Sequence, residues 1–283
     1  MPAQLEKLCH QEVAAYPPPE LVEATRRRGD ELMAKLDKNH RAVLRPPFVI
    51  IGDLPPRELE QMADQSVVRP AGAMWASYFR KRPPEPIAVL LFRDAESYKK
   101  GAGAAFGDKD LPHFGYYKPE ERTMVMNIAT GTGTLVHELT HALIVYDFPD
   151  VPRWFNEGLA SLHEQCYVHP DRIVGKVNWR LPGLQTAVRE KRLRPLATML
   201  RADDFYGPLQ GLNYAHSRYL FLYMQEKGRL RRFYHAFHAR AGESDAAVKT
   251  IEEVFGRKID QVDAEYVKWV KGLTPTTPLA SDN

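Results

Sequence analysis

The stretch from Leu135 to Glu164, LVHELTHALIVYDFPDVPRWFNEGLASLHE, constrains this chain more than any other. It holds His137, Glu138 and His141 in the spacing H-E-x-x-H, followed by a second acidic segment around Glu157. Residues four apart on a helix stand about 40° apart around the axis and about 6 Å apart along it, so imidazoles at 137 and 141 reach one metal ion together. Glu138 sits on the flank of that face, where a carboxylate takes a proton from water activated by the ion instead of ligating it. The surrounding pattern predicts a helix: Leu135, Val136, Leu139, Leu143 and Ile144 supply its apolar positions, and Thr134 is the expected N-cap after Gly131-Thr132-Gly133.

A catalytic zinc site usually takes three protein ligands and keeps one position open. A metzincin pattern would need Gly and His where this chain has Ile144 and Asp147, and without that Gly the chain does not easily bend Asp147 back to the metal. Asp147 therefore ranks second to Glu157, in Trp154-Phe155-Asn156-Glu157-Gly158. The proline-rich turn Asp147 to Pro152 ends the first helix and returns a second one against it.

With HELTH and NEGLA in this order, the chain resembles the gluzincin metallopeptidases, the group that includes thermolysin and the zinc aminopeptidases. The resemblance implies zinc (Zn2+) held by His137, His141 and Glu157, with Glu138 as general base. It also implies an α+β, zincin-like fold: a small mixed sheet with an edge strand before the H-E-x-x-H helix, then a mainly helical C-terminal part. The strand expected just before that helix is Thr123 to Ile128; in such proteins the edge pairs with an extended substrate, and an internal strand paired on both sides is the equal alternative from the residues alone. The segment Tyr214 to Met224 resembles the helix that carries an oxyanion-stabilising tyrosine, which matches Tyr214 here, with His216 as runner-up. Two departures stand out. Only 15 residues separate His141 from Glu157, a shorter connection than in the aminopeptidases, and Ser161 stands where thermolysin-like enzymes have an acid that orients a zinc histidine. Glu164 on the same helix is the candidate substitute.

The remaining chain supports a globular reading. At 283 residues, 44% of them hydrophobic, it is long enough for one large or two modest domains. A net charge of +3 does not point to nucleic acid, and the basic run Arg229 to Arg240 reads as a core helix with a solvated face. Cys9 and Cys166 form no metal or disulfide framework. No apolar run reaches membrane length and no signal-peptide core is visible, which predicts a soluble protein, secreted or periplasmic if a leader has been removed. The expected organisation is a helical lead-in (1–45), an α/β subdomain with the sheet (46–134), a helical subdomain with the metal site (135–273) and a tail (274–283).

Within these, Phe48 to Ile51 and Ile87 to Phe92 read as strands and Glu20 to Asn39 as a helix. Pro70 is expected to interrupt a further helix, and Gly101 to Ala105 reads as a flexible loop. The function implied is hydrolysis of peptide bonds in a peptide or protein substrate. The alternatives are a metallohydrolase acting on something other than peptides and a non-catalytic, zinc-containing binding module.

Overall fold

The computed structural model describes residues 16–275; the start of the expected lead-in, with Cys9, and most of the tail lie outside the described residues. The first half runs α1 (Pro19–Met33), β1 (Arg41–Arg45), β2 (Phe48–Gly52), α2 (Pro56–Met62), α3 (Arg69–Ser77), β3 (Ile87–Phe92), α4 (Ala95–Phe106), β4 (Gly115–Lys118) and β5 (Thr123–Asn127). The second half is mainly helical: α5 (Gly133–Asp147), α6 (Arg153–His163), the small hairpin β6 (Cys166–Val168) and β7 (Ile173–Gly175), then α7 (Leu181–Arg189), α8 (Leu196–Met199), α9 (Gln210–Glu226), α10 (Leu230–Ala239), α11 (Ala246–Phe255) and α12 (Ile259–Gly272). The fold is therefore α+β with a small mixed sheet and a helical C-terminal part. Among the described residues, no helix is long and apolar enough to cross a membrane.

The five strands lie in the order β1-β2-β3-β5-β4, with β2, β3 and β5 parallel and the two outer strands antiparallel to their neighbours. Both faces are covered, which is why β2 and β3 read as unbroken apolar runs. Val49, Ile51, Ala88, Leu90 and Phe92 pack with Leu32 of α1 and Tyr98 and Ala102 of α4. The alternate residues Phe48, Ile50, Val89 and Leu91 join a cluster that continues through Leu139 and Leu143 of α5 to Tyr266 and Val270 of α12. Sheet and C-terminal helices thus share one core.

Four expectations change. The strand before α5 is internal, paired with β3 on one side and β4 on the other, so the terminal strand on this side is β4. Residues 41–45, expected within a helical lead-in, form the hairpin strand β1. Gly101 to Ala105 is not a loop but the middle of α4: a Cβ at Gly101 would stand 2.0 Å from the Phe92 ring, so glycine lets the helix lie directly on β3. Pro70 does not break its helix either. Residues 63–68 wind as a π-helix joining α2 to α3, and this wider turn comes just before the position where proline has no N–H to donate.

Asp147, the second-ranked ligand, has a structural role. Its Oδ1 accepts the backbone N–H groups of Arg80 (2.7 Å) and Lys81 (2.8 Å), and its Oδ2 accepts the Tyr234 hydroxyl (2.7 Å). The end of α5 is thereby tied to the α3–β3 connection and to α10, inside the core. Replacing Asp147 with alanine strands three donors, and unpaired buried donors cost about 1–3 kcal/mol each. Asp147→Ala is expected to lower stability by about 3 kcal/mol in denaturant unfolding; a change within the range of ordinary surface substitutions would contradict this role.

Candidate metal centre

The site is built where α5 and α6 run against each other. Leu135, Leu139, Ala142 and Leu143 anchor one side of α5 in the core, which turns His137 and His141 toward α6. The turn through buried Phe148 reverses the chain, and α6 brings back Glu157, its side chain also largely buried. At Gly133 a Cβ would stand 2.4 Å from the Glu164 carbonyl oxygen. Only glycine allows the start of α5 to meet the end of α6 so closely.

His137 Nε2 and His141 Nε2 stand 3.0 Å apart, and Glu157 Oε2 lies 3.4 Å from the first and 3.5 Å from the second. Donors bound at about 2.0–2.2 Å around a tetrahedral zinc are about 3.3–3.5 Å from each other. The two histidine–glutamate distances fit that spacing, and the histidine pair at 3.0 Å is slightly closer. Glu157 Oε2 is buried and accepts no hydrogen bond, as expected of an atom reserved for a cation. The group His137, His141 and Glu157 could therefore hold a metal, and its donor chemistry suits zinc.

Each of the three side chains meets a partner on its far side. His141 Nδ1 donates to Asn156 Oδ1 at 2.7 Å, which leaves the Nε2 lone pair free to ligate. His137 Nδ1 faces Glu164 Oε1 at 3.3 Å. Arg180 grips Glu164 through Nη2 to Oε1 (2.8 Å) and Nε to Oε2 (3.2 Å). Tyr206 donates to Glu157 Oε1 at 2.6 Å, holding the oxygen that points away from the histidines. Glu164, rather than Ser161, is the residue of this segment that faces His137. It stands seven residues after Glu157, two turns on along one face of the helix, whereas the Ser161 hydroxyl is buried without a partner.

The charges follow from these contacts. Burial opposes ionisation of Glu157, but the two histidines outweigh it and keep the carboxylate far below its ordinary range. Burial likewise opposes the charge on Glu164, and His137 and Arg180 overcome it to hold the group at about 2. For His137, burial favours the neutral ring; the carboxylates of Glu157 and Glu164 outweigh it and bring the imidazole to about 10. Two ionised carboxylates beside two imidazoles suit a cation, and a metal bound there would replace the proton on His137.

Glu138 lies on the wall of a cleft of about 650 Å³ that also exposes His137, Glu164, Arg180 and Tyr214. Burial raises its pKa, partly offset by the histidines and by a hydrogen bond from the Tyr117 backbone N–H. Tyr214, at the start of α9, lines the same cleft with its hydroxyl toward Glu157. His216 does not join them. It is buried and stacked on Tyr266, with ring centroids 5.5 Å apart, and burial lowers its pKa to about 3.

The structure thus brings together His137, Glu138, His141, Glu157 and Tyr214, and sets Asp147 and His216 apart. Sequence reasoning missed Asn156, Arg180 and Tyr206. Asn156 carried a signal, since it directly precedes Glu157 in the NEG motif; Arg180 and Tyr206 come from loops with no local pattern. Outer partners of metal histidines typically contribute tenfold to a hundredfold in affinity. Zinc affinity measured by competition with a chromophoric chelator is expected to fall by that factor in Glu164→Ala and to recover partly in Glu164→Gln; unchanged affinity in Glu164→Ala would remove Glu164 from the site. In comparisons with known proteins, no family profile matches the chain and no characterised protein shows significant similarity to it.

Proposed function

We propose that this protein is a zinc-dependent peptidase of the gluzincin type. The observation that carries the reading is the convergence of His137, His141 and Glu157 beside an open cleft whose wall holds Glu138. Held by those three residues, zinc would supply Lewis acidity and lower the pKa of water at its remaining position.

Glu138 is the base that accepts the proton of the attacking water. Its burial favours the protonated form, which suits the return of that proton to the leaving amine. Tyr214 contributes a hydroxyl on the cleft wall, available to an oxygen on which negative charge develops. Asn156 sets the tautomer of His141 through its hydrogen bond, and Glu164, held by Arg180, sets a negative charge against His137. The strand β4 supports a peptide substrate over a compact small molecule: it ends the sheet on this side, Phe114 and Gly115 at its start line the cleft, and of its outward groups the Tyr117 N–H is held by Glu138. An extended chain can lie along such an edge and form main-chain hydrogen bonds with it.

Glu138→Gln keeps the shape and removes the base. It is expected to retain zinc at the wild-type ratio, measured by elemental analysis, while hydrolysis of a peptide library falls by about a hundredfold or more. Full turnover by Glu138→Gln would contradict the role of Glu138. Zinc-loaded wild type that cleaves no peptide would overturn the peptidase reading and favour another substrate or a binding module.

A further inference from the structure

The loop that joins α8 to α9 sets one side chain against the candidate ligands. Tyr206 donates its hydroxyl to Glu157 Oε1 at 2.6 Å, while Glu157 Oε2 faces the two histidines. A hydrogen bond this short to a carboxylate is charge-assisted and about twice as strong as a neutral one. An oxygen held in that way is not free to turn toward an ion. We infer that Tyr206 is a positioning residue: its hydroxyl keeps Glu157 a one-oxygen ligand, and so keeps a coordination position open for water or substrate. This rests on the zinc reading of the site and adds the residue that sets its coordination number.

The loop is braced for this contact. Arg194 grips Asp204 with two hydrogen bonds of 2.6 Å, and the Asn213 side chain donates to the Phe205 carbonyl at 2.9 Å. The Gly207 N–H donates to the Asp204 carbonyl at 3.0 Å and closes a turn with Tyr206 inside it. Phe205 is buried, and its ring stands edge-on to both Tyr206 and Tyr214, at centroid distances of 5.4 and 5.0 Å. Helix α6 holds the same tyrosine at two points one turn apart. The Arg153 guanidinium lies 5.6 Å from the centroid of its ring, and Glu157 takes its hydroxyl. Tyr206 itself does not need this partner: it is half-exposed, and water would serve its hydroxyl nearly as well. Glu157 is the residue that the contact constrains, because it is buried and a carboxylate can offer an ion one oxygen or both. Tyr214 also turns its hydroxyl toward Glu157, but from the wall of the cleft. With Tyr206 in place, Tyr214 can leave for a substrate oxygen without releasing Oε1.

The test compares wild type with Tyr206→Phe and Tyr214→Phe, each reconstituted with zinc for X-ray absorption and with cobalt(II) for visible absorption. Tyr206→Phe is expected to keep its metal, with an affinity within about tenfold of wild type. Its zinc shell is expected to gain one oxygen, with the carboxylate carbon closer to the ion. The visible absorption of its cobalt form is expected to weaken, since five-coordinate cobalt absorbs less strongly than four-coordinate cobalt. Tyr214→Phe is expected to leave both spectra as in wild type, which separates the two roles. In turnover, Tyr206→Phe is expected to lose at least about tenfold in kcat with KM nearly kept. A Tyr206→Phe shell and cobalt spectrum identical to wild type would overturn the inference. So would a wild-type shell in which both Glu157 oxygens already bind, a result that needs no variant. Protein that takes up no metal would overturn the inference together with the zinc reading. If the shell changes as expected and wild type cleaves no peptide, the peptidase reading fails while the role of Tyr206 stands.

Discussion

Three acceptors pointed at one another hold the key to this structure. Two imidazole nitrogens and one carboxylate oxygen meet at 3.0 to 3.5 Å on facing helices. Lone pairs at that distance repel unless a cation lies between them, so the packing of α5 on α6 forms a site whose electrostatics close only when a proton or a metal enters. Around it, Asn156 and Tyr206 bond the outward-facing atoms of His141 and Glu157, and Glu164, held by Arg180, faces the outer nitrogen of His137. Binding at such a site is coupled to stability, because the unfolded chain offers no preformed set of donors.

The sheet and the helices beyond α5 serve that arrangement. The sheet fixes the start of α5 through the β5 connection, and Asp147 fixes its end by tying it to the α3–β3 connection and to α10. Between those points, α6 packs in an aromatic layer, with Phe155 against Phe221, Phe233 and Phe237. A helix held on this many sides keeps Glu157 in place without help from its own mobile side chain. The one open side is the cleft, where Glu138, Tyr214 and the exposed rings of Phe114 and Trp179 lie.

Much of this was legible in the sequence because it is local and periodic. The spacing of His137 and His141 on an amphipathic helix, the proline turn, and the acidic helix that follows are all short-range signals, and the three residues proposed to hold a metal do meet in space. The strands that were missed are those with the weakest patterns: β1 is polar and exposed in part, and β4 is four residues long, so neither shows clean alternation. Gly101 read as a loosener because its partner, the Phe92 ring, is distant in the sequence. Asp147 looked available as a ligand since its three hydrogen-bond partners come from two distant segments. Arg180 and Tyr206 reach the site only through tertiary packing, which no local pattern reports. Glu164 was accessible to helix geometry, as the next residue on the Glu157 face able to replace the acid missing at Ser161.

X-ray absorption at the zinc edge, on purified protein reconstituted with one equivalent of zinc, tests the central claim most directly. The account predicts a shell of two imidazole nitrogens and carboxylate or water oxygen at about 2.0–2.2 Å, with no sulfur. It predicts loss of the histidine multiple-scattering signal, or of zinc itself, in His141→Ala. A sulfur shell from Cys166, or zinc held by His141→Ala and Glu157→Ala as firmly as by wild type, would contradict it.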